Sequence, residues 1–331
     1  MLMHLHAETP VHAGGAAADG VVDEPIQREL PSGLPTIWAQ SLKGAIKDVL
    51  REAGRDDLVQ MLGSEPGETP LVPSSVDIVD AMLVALPVPT LHSMFTWATS
   101  PLLLSRLDRR LAATGAAGLL PPLPGTTLFP PGDDVFVAPA VDAGPTIQHG
   151  PVVQPVAPGT ATPAVMARRG SHREDTAKVE SPAPPVPEAG RVLAFGGHAL
   201  RASAQAGVAE LASWLANNVA AERGVYHREH LRRHLVLVHD EVLGSLGVEC
   251  MEVQPRVQLH RDPAQRKTVA QGPFFSEYLP TDTLLSAVLL GPQEILQGIA
   301  ATVGEMITIG GHATIGRGLM WVRWTGPQDA S

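Results

Sequence analysis

The chain has 331 residues, 44% of them hydrophobic, and a formal net charge of −10. That length supports one large domain or two modest ones with a real core, and the composition excludes a wholly disordered chain. The acid excess argues against a generic nucleic-acid binder, no apolar run approaches the ~18 residues that span a bilayer, and the single Cys250 cannot form an internal disulfide. The opening MLMHLHAETP lacks a basic flank and does not read as a secretion signal, so the expected compartment is the cytoplasm.

Leu2 to Glu8 reads as a strand, followed by a loop of small residues at 13–20. Ser41 suits the N-cap of a helix running to about Ala53, with Leu42, Ala45, Ile46, Val49 and Leu50 on one face and Gly54 as its stop. A second helix opens at Ser100-Pro101 with Leu103, Leu104, Leu107 and Leu111 inward. Residues 121–190 hold 15 of the 31 prolines. Proline fixes φ and removes a backbone donor, so about 139–190 is expected to be a flexible insertion, its RRGSHRED cluster (168–175) a solvated linker. A third helix is expected near 203–222 along Val208, Leu211, Leu215 and Val219. Beyond it come β-rich stretches at 251–260 and 283–290, a last helix from about Pro292, and short strands at 306–309 and 319–324 around a glycine-rich loop. A strand–loop–helix unit at each end predicts an α+β, ferredoxin-like core formed by 1–138 and 191–331 together.

Several residue groups could carry chemistry. In ITIGGHATIGRG (307–318) the glycines suit either a tight hairpin or a backbone cradle for phosphate, and the hairpin is favoured. QSLKG (40–44) sets Ser41 and Lys43 at a helix N-terminus, which suits a phosphate or simply a capped helix with a solvated lysine. His4 and His6 form an HxH, the start of some barrel metal sites, but the proline-rich middle breaks the required β/α repeat. His227, His230 and His234 stand at helical spacing among arginines and are expected to form a solvated or RNA-facing surface. Asp23 precedes Glu24-Pro25, and proline pushes its predecessor to extended geometry, so the carboxylate belongs to an ordered loop. From the residues alone it is a turn former or a catalytic carboxylate, and the turn is favoured.

TPVHAGG (9–15), VVDEPIQRE (21–29), QSLKGAIKD (40–48), TSPLLLSRL (99–107), SEYLPTDTLL (276–285) and IGGHATIGRG (309–318) together resemble the backbone subunit of the Cmr complex, the type III-B CRISPR effector, within the RAMP superfamily. The resemblance implies a subunit that stacks with further copies of itself along a CRISPR guide RNA. It would act beside a large polymerase/cyclase-like subunit, a small helical subunit and capping RAMP subunits. A β-hairpin thumb, expected at about 254–280, would splay the guide–target duplex at regular intervals. Asp23 would then cut the complementary target RNA by attack of the neighbouring 2′-hydroxyl, with Asp23 also holding a divalent metal ion, Mg2+ or Mn2+. The same resemblance makes His12, Glu277 and Tyr278 supporting catalytic residues. It assigns Ser41, Lys43, Gly310, Gly311, Gly316, Arg317 and Gly318 to RNA binding. Two alternatives are a guide-binding RAMP subunit that does not cut and the backbone subunit of the type III-A complex, against which the PIQRE context speaks.

Overall fold

The computed structural model describes residues 1–15, 22–122 apart from 66, 68 and 92, residue 130, residues 134–138, 192–261 apart from 196, and 267–326. The expected insertion at 139–190 lies outside the described residues, as does the 262–266 turn of the expected thumb. The first half contains β1 (Leu2–Ala7), β2 (Thr36–Ile37), α1 (Ala39–Glu52), α2 (Asp56–Met61), β3 (Asp77–Pro89), β4 (Phe95–Thr99), α3 (Pro101–Ala113) and β5 (Asp134–Val137). After it come β6 (Val192–Phe195), β7 (His198–Ala204), α4 (Ala206–Asn218), α5 (Val225–His234), β8 (Leu235–Leu237) and α6 (Asp240–Glu249). The last part holds β9 (Glu252–Arg261), β10 (Lys267–Tyr278), β11 (Leu284–Leu290), α7 (Gln293–Val303), β12 (Met306–Thr308) and β13 (Leu319–Thr325).

The fold is mixed α+β around a large sheet. Among the described residues its strands run β12-β13-β1-β11-β3-β4-β8-β5-β7-β6, with β2 also on β3, while β9 and β10 form a separate antiparallel hairpin. The same sheet draws strands from both sides of 139–190, since β1 pairs with β13 and β5 with β7. At its centre, β1 is buried at all six positions, which explains its apolar sequence broken only by His4 and His6. Leu42, Ile46 and Leu50 of α1 and Leu296, Ile299 and Val303 of α7 pack on the face that carries Met3, Leu5 and Leu285. Leu104, Leu107 and Leu111 of α3 and Val208, Leu211 and Leu215 of α4 cover the other face around Trp97. Each such leucine, fully buried, contributes about 1.5–3 kcal/mol relative to exposure.

The helices expected near 100, 203–222 and Pro292 are present, and Gly54 ends α1 with φ +68°. Ser41 is not the N-cap. Helix α1 starts at Ala39, with Trp38 as its cap, so Ser41 lies inside the first turn and its N–H already donates to Trp38 O at 2.9 Å. Asp80 Oδ1 instead accepts the Ala39 N–H at 2.7 Å. The long strand β3 was not among the expected elements; its Pro87 and Pro89 sit in its final segment beside β4.

The histidine-rich helix α5 also departs from expectation. His230 and His234 are buried rather than solvated, with His230 edge-on to Phe95 and Trp97, and only His227 is open. His4 and His6 are structural too. His4 Nε2 meets Thr325 Oγ1 at 3.1 Å, and His6 binds Asp282 through Nε2 while its Nδ1 accepts the Ala221 N–H.

Burial, and then the charge of Arg323, holds His4 down to about 3; burial, then His230 and Arg233, holds His234 at about 4. Both are neutral when folded but gain protons when unfolded below the ordinary histidine value of about 6.5. Their contribution is therefore complete above that pH and is lost as the pH falls toward the folded values. The unfolding free energy from urea titration is expected to hold steady from pH 8 to 7 and then fall, by up to about 1.4 kcal/mol per pH unit for each titrating histidine, lowering the urea midpoint with it. A midpoint unchanged down to pH 5 would contradict this.

Candidate functional site

After β1 the chain threads between two neighbours. Val11 exchanges backbone bonds with Leu279 at 2.9 Å in each direction. On its other side, Gly311 N–H donates to His12 O and Gly318 N–H to Pro10 O, both at 2.9 Å. Gly310 has φ +88°, and a Cβ there would stand 2.3 Å from the His12 carbonyl oxygen; at Gly318 (φ +82°) it would stand 2.3 Å from Ile309 O. The glycines thus permit close backbone approach in a hairpin loop. The N–H groups of Gly311, Gly316, Arg317 and Gly318 all donate to carbonyls of the protein, so the described loop does not offer those four as an open phosphate cradle.

Asp23 is exposed and lies on an ordered loop, as its sequence context predicts. Its N–H and that of Glu24 both donate to Phe275 O at 3.0 Å, while Phe275 N–H donates to Asp23 Oδ2 at 2.7 Å. Glu277 N–H then donates to Glu24 O at 2.9 Å. The loop is thereby pinned along β10 where the hairpin returns to the body of the protein.

His12, Tyr278 and His312 converge beside this loop. The His12 and His312 rings stack at 4.6 Å with 15° between planes, and Tyr278 OH meets His312 Nδ1 at 3.2 Å. His12 Nδ1 donates to Glu277 O at 2.8 Å, which leaves Nε2 as the lone-pair nitrogen. Arg256, from β9, hydrogen-bonds His312 Nε2 and reaches Glu24 Oε2 at 3.4 Å. Desolvation, followed by the charge of Arg256, lowers the pKa of His312. Among the described residues, the group able to hold a metal ion is His12, Glu24 and His312, with one donor atom from each within 4.8 Å of the others. Asp23 is not one of the three.

The remaining expected residues divide. Glu277 is buried, and its carboxylate accepts from Ile26 N–H at 3.0 Å and from Arg28 Nη2 at 2.5 Å, so it braces the loop from inside. Arg28 also donates to Gly33 O and Gly247 O. Arg317 lies over the Tyr278 ring at 5.3 Å and donates to Gln254 Oε1, which joins it to the His312 group. Ser41, Gly310 and Gly311 line one open groove with Gly14, Gly44 and Thr308, while Lys43 and Gly316 stand outside its lining. The helix N-terminus at this groove is largely satisfied from within, with Trp38 N–H on Gln27 Oε1 and Gln27 Nε2 on Ser41 Oγ. Along α1 and the turn after it, Lys47 and Arg51 pair with Glu65 and Arg55 with Asp57, so these positive charges are neutralised internally.

Sequence reasoning missed Glu24, Arg28, Arg256 and His312. All four stand inside segments that were singled out, Glu24 and Arg28 in 21–29, Arg256 in 254–280 and His312 in 309–318, but no spacing rule links residues from opposite ends of the chain.

The sequence profile of the RAMP superfamily matches residues 4–321. A relative, the CRISPR system Cmr endoribonuclease Cmr4 of Pyrococcus furiosus, is 24% identical over 332 residues, covering 97% of this chain and 94% of that protein. In fold the chain is similar to oligomeric Cmr4 from Pyrococcus furiosus, with a TM-score of 0.62 and 20% identity over 97% of this chain and 96% of that one. It is also similar to a chain of the type III-B Cmr-beta complex bound to cognate target RNA, with a TM-score of 0.60 and 18% identity over 100% and 98% of the two chains.

Gly310→Ala is expected to part the glycine loop from His12. The left-handed backbone alone costs roughly 1–3 kcal/mol with a side chain present, and the Cβ–carbonyl clash adds to it. Thermal unfolding should show a clear fall in midpoint; an unchanged midpoint would rule out the close approach as a constraint.

Proposed function

The chain belongs to the RAMP superfamily, and from that premise we propose that it is the repeated backbone subunit of a type III-B CRISPR effector, which binds guide RNA and cuts complementary target RNA at regular intervals. The observation that carries this reading is the loop of Asp23 and Glu24, pinned by backbone bonds to the base of a hairpin, which exposes Asp23 and brings its neighbour Glu24 to the conjoined His12–Tyr278–His312 group. The named relative supports it, being described as an endoribonuclease of the same kind of complex.

In this reading, β1–α1–β3 and β11–α7–β13 are the halves of a ferredoxin-like core. It is supported by the side-by-side order β13-β1-β11-β3, in which the motif's fourth, first, third and second strands are neighbours. Hairpin β9–β10 is the thumb. It stands apart from the main sheet, and its Val253 and Val257 are exposed, as suits side chains that meet unstacked bases. Residues 139–190 are an insertion in this core.

RNA supplies its own nucleophile, so the protein mainly has to align it. A 2′-oxygen attacks the adjacent phosphorus as the bond to the 5′-oxygen breaks, and the departing oxygen takes a proton from water, leaving a 2′,3′-cyclic phosphate and a 5′-hydroxyl. Asp23 accepts the proton of the attacking hydroxyl. His12 and Tyr278 hold the wall beside the scissile phosphate, and Glu277 positions the loop through Ile26 and Arg28. A divalent ion at this loop, Mg2+ or Mn2+, would supply charge neutralisation at the phosphate. The guide backbone, which carries position but no sequence, runs along the groove of Ser41, Gly310 and Gly311, with Lys43, Gly316, Arg317 and Gly318 flanking it through side chains and loop shape rather than open N–H groups. Partners are the guide RNA, target RNA, further copies of the chain, the large and small subunits and the capping RAMP subunits, all in the cytoplasm. No described helix is long and apolar enough to cross a membrane.

With the complex assembled on guide RNA and given labelled complementary RNA, evenly spaced products are expected. Asp23→Ala should slow their formation at least about 100-fold while target binding survives. A ladder that persists in that variant assigns the cutting elsewhere. Lys43→Glu should weaken guide binding about tenfold and make the logarithmic salt slope shallower by ~0.7 or more per copy. Equal guide affinity at both low and high salt would remove Lys43 from the phosphate site.

A further inference from the structure

Three side chains with metal-binding chemistry bring one donor atom each within 4.8 Å of the others, and both imidazoles are anchored through their second nitrogen, although the rings stack 15° from parallel and must tilt to aim both lone pairs at one ion. His12 donates Nδ1–H to the Glu277 carbonyl, and that oxygen can only accept, so the Nε2 lone pair is free to bind. His312 is fixed in the same sense. Arg256 can only donate, so its bond to His312 Nε2 marks that atom as the lone pair and leaves Nδ1–H for the Tyr278 hydroxyl. A ring N–H anchored on a carbonyl or hydroxyl is the usual outer support of a metal-bound imidazole. Glu24 adds the carboxylate, its Oε2 3.7 Å from His312 Nε2.

Two further observations point to a cation at this spot. A Cβ at Gly14 would fall 3.2 Å from His12 Nε2, so a residue without a side chain keeps that nitrogen clear. The place is already filled by positive charge, since the Arg256 guanidinium bridges Glu24 and His312. Arg256 also lies over the Phe274 ring at 5.4 Å, and so keeps a favourable contact when it leaves the two ligands.

We propose that His12, Glu24 and His312 bind a divalent first-row transition ion, of the Mn2+ or Co2+ type, in exchange with the Arg256 guanidinium. Two imidazoles and one carboxylate select such an ion over Mg2+, which favours an all-oxygen shell. The inference deepens the cutting reading above, because it moves the ion's protein anchors from Asp23 to the neighbouring trio and leaves the Asp23 carboxylate for the hydroxyl proton. Ion exchange also gives the hairpin a part, since Arg256 belongs to β9 and must swing as the ion enters.

The test uses the full-length protein without RNA and Co2+ alone as the probe. Its visible absorption reports ligand type and its titration reports affinity. One Co2+ per chain with imidazole-type bands is expected. His312→Asn and Glu24→Gln should each weaken binding at least tenfold, while Asp23→Asn leaves it within twofold. Arg256→Gln should tighten binding several-fold, a gain that a misfolded variant cannot imitate. Absence of Co2+ binding by the unmodified chain, or affinity unchanged in both ligand variants, would overturn the site. So would a loss confined to Asp23→Asn, which returns the ion to Asp23 and leaves the cutting reading intact. Conversely, intact Co2+ binding by a complex that yields no RNA ladder sinks the cutting reading and upholds the site.

Discussion

The approach of the glycine loop to the strand after β1 is the contact on which the site hangs. Gly311 N–H reaches His12 O only because Gly310 has no side chain to strike that carbonyl. That bond, with those from Gly318 to Pro10 and between Val11 and Leu279, clamps residues 10–12 between the C-terminal hairpin loop and the end of β10. His12 is therefore carried on backbone pairing rather than on a free loop. Its ring then stacks on His312, from the very loop that holds its backbone. One close approach thus sets both the position of a side chain and the partner it meets.

Charge is distributed around this point in a pattern that keeps it poised. The net acidity of the chain does not extend to the site, where Arg28, Arg256 and Arg317 each face an acceptor or a ring. Arg28 and Glu277 form a partly buried pair whose remaining capacity is taken up by Ile26 N–H and by the carbonyls of Gly33 and Gly247. Such a pair gives little net stability, yet losing one member leaves the other unsatisfied. Its value lies in fixing where the Asp23 loop runs. Arg256 is different: it is partly exposed, belongs to the hairpin, and bridges Glu24 and His312, with Ser276 Oγ donating to the same Glu24 oxygen.

Much of the framework could be read from local pattern. The buried strand at Leu2 to Ala7, the leucine stripes of α1, α3 and α4, and the helix after Pro292 follow from periodicity, which reflects which face each element buries. Boundaries moved where a tertiary group replaced a local cap, as when Asp80 took the Ala39 N–H and displaced Ser41 from the helix end. Strand β3 was not among the expected elements; the missing donors of its Pro87 and Pro89 are harmless at the place where the sheet passes from β11 to β4. The histidines of α5 were read as solvated because they stand among arginines; His230 instead packs edge-on to Phe95 and Trp97, and His234 is buried against His230.

The site divides along the same line. The sequence by itself determined that Asp23 stands on an ordered loop ahead of a proline and favoured a tight loop for the 309–318 glycines, while the hairpin before Tyr278 was implied only by the family resemblance. The first two are properties of short segments, and φ restrictions settle them locally. Only the tertiary structure decided that Glu24, rather than Asp23, shares a point with His12 and His312, that Glu277 turns inward to Arg28, and that Arg256 closes the group. Those neighbours come from opposite ends of the chain and meet through strand order and register, which no period along the sequence encodes.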